Sequence, residues 1–266
     1  MNANRTARRR TLRPILRFLL WLPFTLHLCA YAQLTFVPFG EASPQAKTRD
    51  ELDAFGEVYE EAEPASVIRL VRRFIERYPQ SEFLEYVNVP LLHAYEQIGE
   101  PAKAKETALA LLRLNPENID ALLALAAYRL KQPPGDGVQN EGLLSAREYA
   151  QHALERVRWF KAPVSGDRTT WIQTKKALLA KSHMFLGVAA VQEKKLDEAI
   201  DNLVMATALD AQGDYFYRLA LVYEATGRFR EALAAALRAQ ELGPEEVSLL
   251  AERKITVLRK LQPGPK

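Results

Sequence analysis

The stretch Asp214–Pro244, DYFYRLALVYEATGRFREALAAALRAQELGP, decides how the rest of the chain is read. It spells one helix, a tight turn at Ala225-Thr226-Gly227, a second helix, and a stop at Leu242-Gly243-Pro244. Leu219, Tyr223 and Phe229 recur at helical spacing, and Ala220, Ala232, Ala236 and Ala239 leave notches between them. Small residues in register let two antiparallel helices approach closely, while the large ones fill the gap. One such hairpin cannot bury its own apolar face, so copies are expected to stack beside it.

Copies are present. Moved back by 128 residues, Leu219, Tyr223, Gly227, Ala232, Ala236, Leu242 and Pro244 fall on Leu91, Tyr95, Gly99, Ala104, Ala108, Leu114 and Pro116. Moved back by 33, Leu219, Ala220, Ala232, Ala239 and Leu242 fall on Leu186, Gly187, Ala199, Ala206 and Leu209, with Ala211 in place of the closing proline. An offset of 128 exceeds three periods of roughly 34 by about 26 residues. The loop Lys131–Gly142 and the segment around Trp159–Trp171 therefore read as insertions, with the helix Ser145–Val157 and its notches Ala146, Ala150 and Ala153 displaced between them.

At these residues the chain resembles the tetratricopeptide repeat (TPR) family, whose unit is a helical hairpin of roughly 34 residues closed by a proline. The resemblance covers 85–118 and 213–246 and extends to 180–211. The run Phe74-Ile-Glu-Arg-Tyr-Pro-Gln-Ser81 is similar to the end of a second repeat helix in extracytoplasmic bacterial members. The fold this implies is all-α: a right-handed α-solenoid of about five TPR-like antiparallel hairpins plus a C-terminal capping helix. The repeat domain is placed at 50–262, after a leader at 33–49.

Residues 1–32 hold Arg5, Arg8, Arg9, Arg10, Arg13 and Arg17 and no acid. An apolar run from Phe18 to Leu28 follows, and Ala30-Tyr31-Ala32 fits the small-x-small cleavage rule, so a signal peptide cleaved after Ala32 is expected. The competing reading is an uncleaved anchor, against which stand the shortness of the run and its interruption by Pro23 and His27. Export to the periplasm or beyond follows from the first reading, with no stable membrane insertion once the leader is gone. Cys29 is the single cysteine, so 33–266 has no disulfide, thiol nucleophile or cysteine metal site.

The overall charge of +3 misleads, because six of the 36 bases lie in 1–32 and the remaining 30 face 33 acids. That mild acidity argues against a nucleic-acid partner. In chain order the helices are expected at Asp50–Ala62, Pro64–Tyr78, Ser81–Ile98, Pro101–Leu114, Ile119–Lys131, Leu143–Val157, Thr169–Glu193 and Leu196–Leu209, before the opening hairpin. Pro90 falls inside one of them, where it removes a backbone hydrogen bond and favours a kink. Glu245–Leu261 closes the array as a cap with Glu245, Glu246, Glu252, Arg253, Lys254, Arg259 and Lys260 outward.

No catalytic constellation stands out. His93, His152 and His183 lie on different expected helices, HExxH and GxSxG are absent, and the glycines sit at turns rather than in a phosphate loop. Neither a cofactor nor a metal is called for, and the chain reads as non-enzymatic. Arg156, Arg158, Trp159, Phe160, Lys161, Arg168 and Trp171 interleave bases with aromatics in the second insertion. That mix suits an anionic or sugar ligand, centred on Arg158, Trp159, Phe160 and Trp171. The competing and favoured reading is that Trp159, Phe160 and Trp171 plug the gap where the repeat spacing breaks.

The family resemblance implies a groove lined by the first helices of successive hairpins. Here the inward residues would be Tyr86, His93 and Gln97, then Lys181, Met184, Val188 and Gln192, then Asp214, Tyr217, Leu221 and Glu224. Met184 would be a pliable contact, and the set lacks the Lys/Arg cluster that captures acidic peptide tails. The leading expectation is a scaffold that binds a protein or peptide in the bacterial envelope. The alternative is a module that binds cell-wall or outer-membrane polysaccharide through 155–171, and self-association stays open.

Overall fold

The computed structural model describes residues 44–132, 144–161 and 167–261. The expected signal peptide, most of the 33–49 leader with Phe36 and Phe39, the loop at 133–142 and residue 262 of the repeat domain lie outside them. Among the described residues the chain is all-α, with adjacent helices stacked in pairs and no strand. The helices are α1 (Arg49–Glu60), α2 (Pro64–Arg77), α3 (Leu84–Gln97), α4 (Pro101–Leu114), α5 (Ile119–Lys131), α6 (Ala146–Trp159), α7 (Arg168–Gln192), α8 (Leu196–Leu209), α9 (Gly213–Ala225), α10 (Phe229–Leu242) and α11 (Glu245–Leu261).

Local chemistry sets their starts. Thr48 caps α1 by accepting from the Glu51 amide. Glu63 caps α2 through the Ala65 and Ser66 amides, with Pro64 in the first position, where its missing N–H costs nothing. Ser145 and Glu148 form a reciprocal capping box at the start of α6. Pro90 sits inside α3, which continues through it.

The turns repeat one device. At the end of α3, Glu100 N donates to Tyr95 O at 2.9 Å; after α7, Lys195 N donates to Ala190 O at 2.8 Å; after α9, Arg228 N donates to Tyr223 O at 2.9 Å. Each is the six-to-one bond of a Schellman motif, which needs a left-handed residue at its centre. Gly99 supplies it at φ 73°, Gly227 at φ 76°, and Lys194 at φ 63°. The repeat offsets of 128 and 33 are thus offsets of one backbone geometry.

By contacts the described residues divide into two units. The N-terminal unit contains α1–α4, α5 as far as Tyr128, and residues 161 and 167–171. Its core joins Val58, Val71, Phe74, Val87, Leu92, Ala108, Leu111 and Leu122, and Phe55 stacks on Phe83 at 4.3 Å. The end of the leader lies along this unit, Gln45 N donating to Glu82 Oε2 and Lys47 Nζ to Gln80 O, both at 2.9 Å.

The C-terminal unit contains the last turn of α5, α6, α7 from Ile172, and α8–α11. Volumes at its helix crossings compensate. Ala220 and Ala236 are fully buried in the last hairpin, whereas 33 residues earlier the same places hold Gly187 and Leu203. A Cβ on Gly187 would lie 2.8 Å from Leu203 Cγ, so glycine is what the larger leucine requires. Arg147 of α6 grips the α7–α8 turn, its Nε and Nη2 donating to the two Glu193 carboxylate oxygens at 2.7 and 2.9 Å and its Nη1 to Glu198. The capping helix α11 buries Val247, Ala251, Ile255 and Leu258, one stripe at helical spacing.

Candidate partner-binding face

In the N-terminal unit the first helices α1, α3 and α5 meet along one row. Tyr59 of α1 donates its hydroxyl to Tyr86 O of α3 at 3.0 Å. His93 of α3 reaches Asp120 of α5 through Nε2 at 3.4 Å, and Glu96 one turn on through Nδ1 at 3.4 Å. The start of α5 is held in place by Glu85, whose Oε1 accepts from the Asn115 and Asn118 side-chain amides, each at 2.8 Å. Asn118 in turn accepts from the Ala121 amide, so the cap that begins α5 is tied to α3.

The electrostatics follow from this geometry. Burial by itself lowers the His93 pKa, but hydrogen bonds to Asp120 and Glu96 outweigh it and hold the imidazole at about 9. His93 is therefore charged at neutral pH, with both ring nitrogens directed at carboxylates, and has no lone pair to offer as a base. Burial pushes the Tyr59 phenol up, and Asp120, Tyr86 and Glu85 add to the effect. Burial also raises Tyr86, with a contribution from Glu85. Both tyrosines stay neutral donors. The row offers phenol rings, an imidazolium and carboxylates. Among the described residues no group of His, Cys, Asp and Glu is placed to hold a metal.

Of the eleven residues expected to line a groove, Tyr86 and His93 lie half-buried in this row and Gln97 is exposed one turn beyond. The C-terminal set behaves differently. Met184, Val188, Tyr217 and Leu221 are each 2% exposed or less and belong to the core, which corrects their expected role as partner contacts. Helical periodicity identified an apolar face correctly, but that face is consumed by packing. Gln192 spends its amide on Leu130 O at 2.9 Å, and Glu224 is paired with Lys254 of the cap at 2.7 Å. Lys181 and Asp214 are half-buried, and burial raises the Asp214 carboxyl against the opposing pull of Arg218.

The second insertion also departs from expectation. Trp159 is 78% exposed and plugs no gap. The buried stripe of α6 runs through Ala146, Tyr149, Ala150, Ala153, Leu154 and Val157, and Trp159 falls off it at the end of the helix. Arg158 is exposed, while Phe160 and Trp171 are half-buried. Lys175 closes the end of α6, donating to Arg158 O and Phe160 O at 2.9 Å each, and Trp171 Nε1 donates to Lys161 O at 3.1 Å.

Tyr59, Glu85, Glu96 and Asp120 escaped the sequence reading. A signal for two of them exists: Tyr59 to Tyr86 and His93 to Asp120 are both separations of 27 residues. Neighbouring first helices of stacked hairpins touch at the repeat length less about two helical turns. Complementary polar residues at that separation mark the row.

A profile of the tetratricopeptide repeat matches residues 90–118 and 213–246. No curated protein sequence matches the chain. Among solved structures, TTC0263, a thermophilic TPR protein of Thermus thermophilus, is 18% identical with a TM-score of 0.49, over 78% of this chain and 98% of that one. A MamA RS-1 ArsTM double mutant is 13% identical with a TM-score of 0.48, over 84% of this chain and all of that one. A MamA structure is 20% identical with a TM-score of 0.39, over 64% of this chain and 83% of that one. At these identities and scores no property of those proteins transfers to this chain. The two segments that match the tetratricopeptide repeat profile, 90–118 and 213–246, both carry the left-handed glycine turn, at Gly99 and Gly227.

Proposed function

We propose that the chain is a non-catalytic, exported scaffold that binds a protein or peptide of the bacterial envelope along the α1–α3–α5 row. The observation that carries this reading is the joining of Tyr59, Tyr86, His93 and Asp120 across three helices into one half-exposed polar face. Aromatic rings with a polar handle give contact area at low entropic cost, and fixed charges set the register of a bound chain. Export rests on the basic, apolar and small-residue layout of 1–32.

The test is a pull-down from envelope extract with the processed chain, using Tyr86→Glu and Gln97→Arg as variants. A specific protein retained by the wild type and lost from both variants supports the proposal. Capture that is unchanged in both removes this face from consideration. Substitutions at Met184 or Tyr217 would report folding instead, because both are core.

One observation favours a second reading, in which glycan binds through the 155–171 segment. Trp159 is an exposed indole with Arg158 beside it, suited to stacking on a sugar ring. Retention on purified envelope polysaccharide, abolished by Trp159→Ala, would support it. Equal retention of the variant would end it.

A further inference from the structure

A capping helix is expected to present a polar outer face; α11 exposes Glu245, Glu246, Glu252, Arg253, Arg259 and Lys260 but sets apolar residues among them. Opposite its buried stripe it exposes Leu249 at 49% and Val257 at 47%. Along that outer face run Glu246, Leu249, Arg253, Val257 and Lys260, at the three- and four-residue steps of a helix–helix seam. The helix begins with Glu245 and Glu246 and ends with Arg259 and Lys260.

Such a helix is complementary to itself in one orientation only. Placed antiparallel to a second copy with the two-fold axis at Arg253, Leu249 of each copy meets Val257 of the other. Glu246 of each then meets Lys260 of the other. A parallel arrangement instead sets acid against acid and base against base, and aligns the two helix dipoles. Self-complementarity about a dyad is the requirement of an isologous dimer. Arg253 meets its own counterpart on the axis, where its long side chain can splay away from the seam. We propose that the outer face of α11 is a homodimer interface, occupied by α11 of a second copy of this chain in antiparallel register.

One pair of 17-residue helices covers less than the roughly 1,600 Å² of a standard interface, so the dimer belongs at the weak, micromolar end of the scale. Because each substitution acts twice across a dyad, its effect is doubled.

Sedimentation of the full chain across the micromolar range tests the proposal. A concentration-dependent dimer is expected, abolished by Leu249→Glu with Val257→Glu. Glu246→Lys should weaken it by about fivefold through loss of two exposed ion pairs, and adding Lys260→Glu should restore it. These residues are exposed, so melting curves taken at dilutions where the chain is monomeric should be unchanged, and any loss of dimer is then not loss of fold.

The register has its own readout. In a Cys29→Ser background, Arg253→Cys should cross-link to itself under oxidation, because position 253 alone faces its own copy, whereas Arg259→Cys should not. A chain that is monomeric at all concentrations overturns the proposal, as does a dimer indifferent to the Leu249 and Val257 changes. Cross-linking at 259 but not 253 overturns the antiparallel register.

Discussion

Lys194 and Gly227 stand 33 residues apart at the same point of the same turn, and both backbones are left-handed, at φ 63° and 76°. Glycine reaches that region without a steric penalty and lysine does not. Lys194 is exposed, and nothing about its place in the turn requires its side chain. Lys194→Gly is expected to stabilise the C-terminal unit by about 0.5–1 kcal/mol, the relief of strain offset in part by the greater freedom of glycine when unfolded. Gly227→Lys should cost about as much. Urea unfolding of the two variants checks both signs.

The Gly187–Leu203 crossing predicts a non-additive pair. Gly187→Ala alone drives a methyl into Leu203 and should cost about 1–3 kcal/mol. Leu203→Ala alone opens a cavity at a fully buried site and should cost about 2–5 kcal/mol. Together they recreate the alanine pair that the last hairpin uses at Ala220 and Ala236. The double variant should therefore lose less than the sum of the singles. A strictly additive cycle would mean that the two sites relax independently.

His93 gives the N-terminal unit a pH-dependent stability. Its folded pKa is raised from 6.5 to about 9, so the stabilisation is complete below 6.5 and is lost as the pH rises through 9. Its size is on the order of 1–3 kcal/mol, because the contacts at 3.4 Å are long. His93→Gln should unfold more easily than the wild type at pH 6, and the difference should close by pH 10. A constant difference across that range would show that His93 acts through packing alone.

Arg218 is fully buried in α9, one turn after Asp214, whereas the equivalent place 33 residues earlier holds the buried Phe185. Burial lowers the arginine pKa, and Asp214 opposes it. A buried charge seldom adds net stability over an apolar residue of similar volume. Replacing both, Arg218→Met with Asp214→Ala, should be close to neutral, whereas Asp214→Ala alone should cost about 3–5 kcal/mol by leaving the buried guanidinium without that counter-charge. Calorimetric melts of the two variants would separate these outcomes.

Much of the fold was legible because the turn and the notches are written in residue types that have few alternatives. Gly99 and Gly227 announce a left-handed turn, and Ala104, Ala108, Ala232 and Ala236 announce close helices. Lys194 carries no such signal, and its turn could be placed only through the residues around it. The site was harder to read, since facing is decided between helices. Tyr86 and Tyr217 are both tyrosines on first helices, yet one lies half-exposed in a polar row and the other is core. Trp159 misled for a related reason: two residues past Val157, it lies on the far side of its helix from the buried stripe.

The two ways of ending a helix in this chain differ in when they can form. The turns at Gly99, Lys194 and Gly227 close with backbone from within a few residues, so each can assemble alone and early. At the end of α6 only Val157 O is met locally, by Phe160 N; the Arg158 and Phe160 carbonyls accept from Lys175, 17 residues beyond Arg158 and on another helix, and lack that donor until α7 arrives. That makes the junction a late and conditional piece of structure, the place where the C-terminal unit should first come apart under stress. A repeat array is often pictured as a chain of equal springs. Here one of the joints is latched from a distance, and the latch is a single lysine.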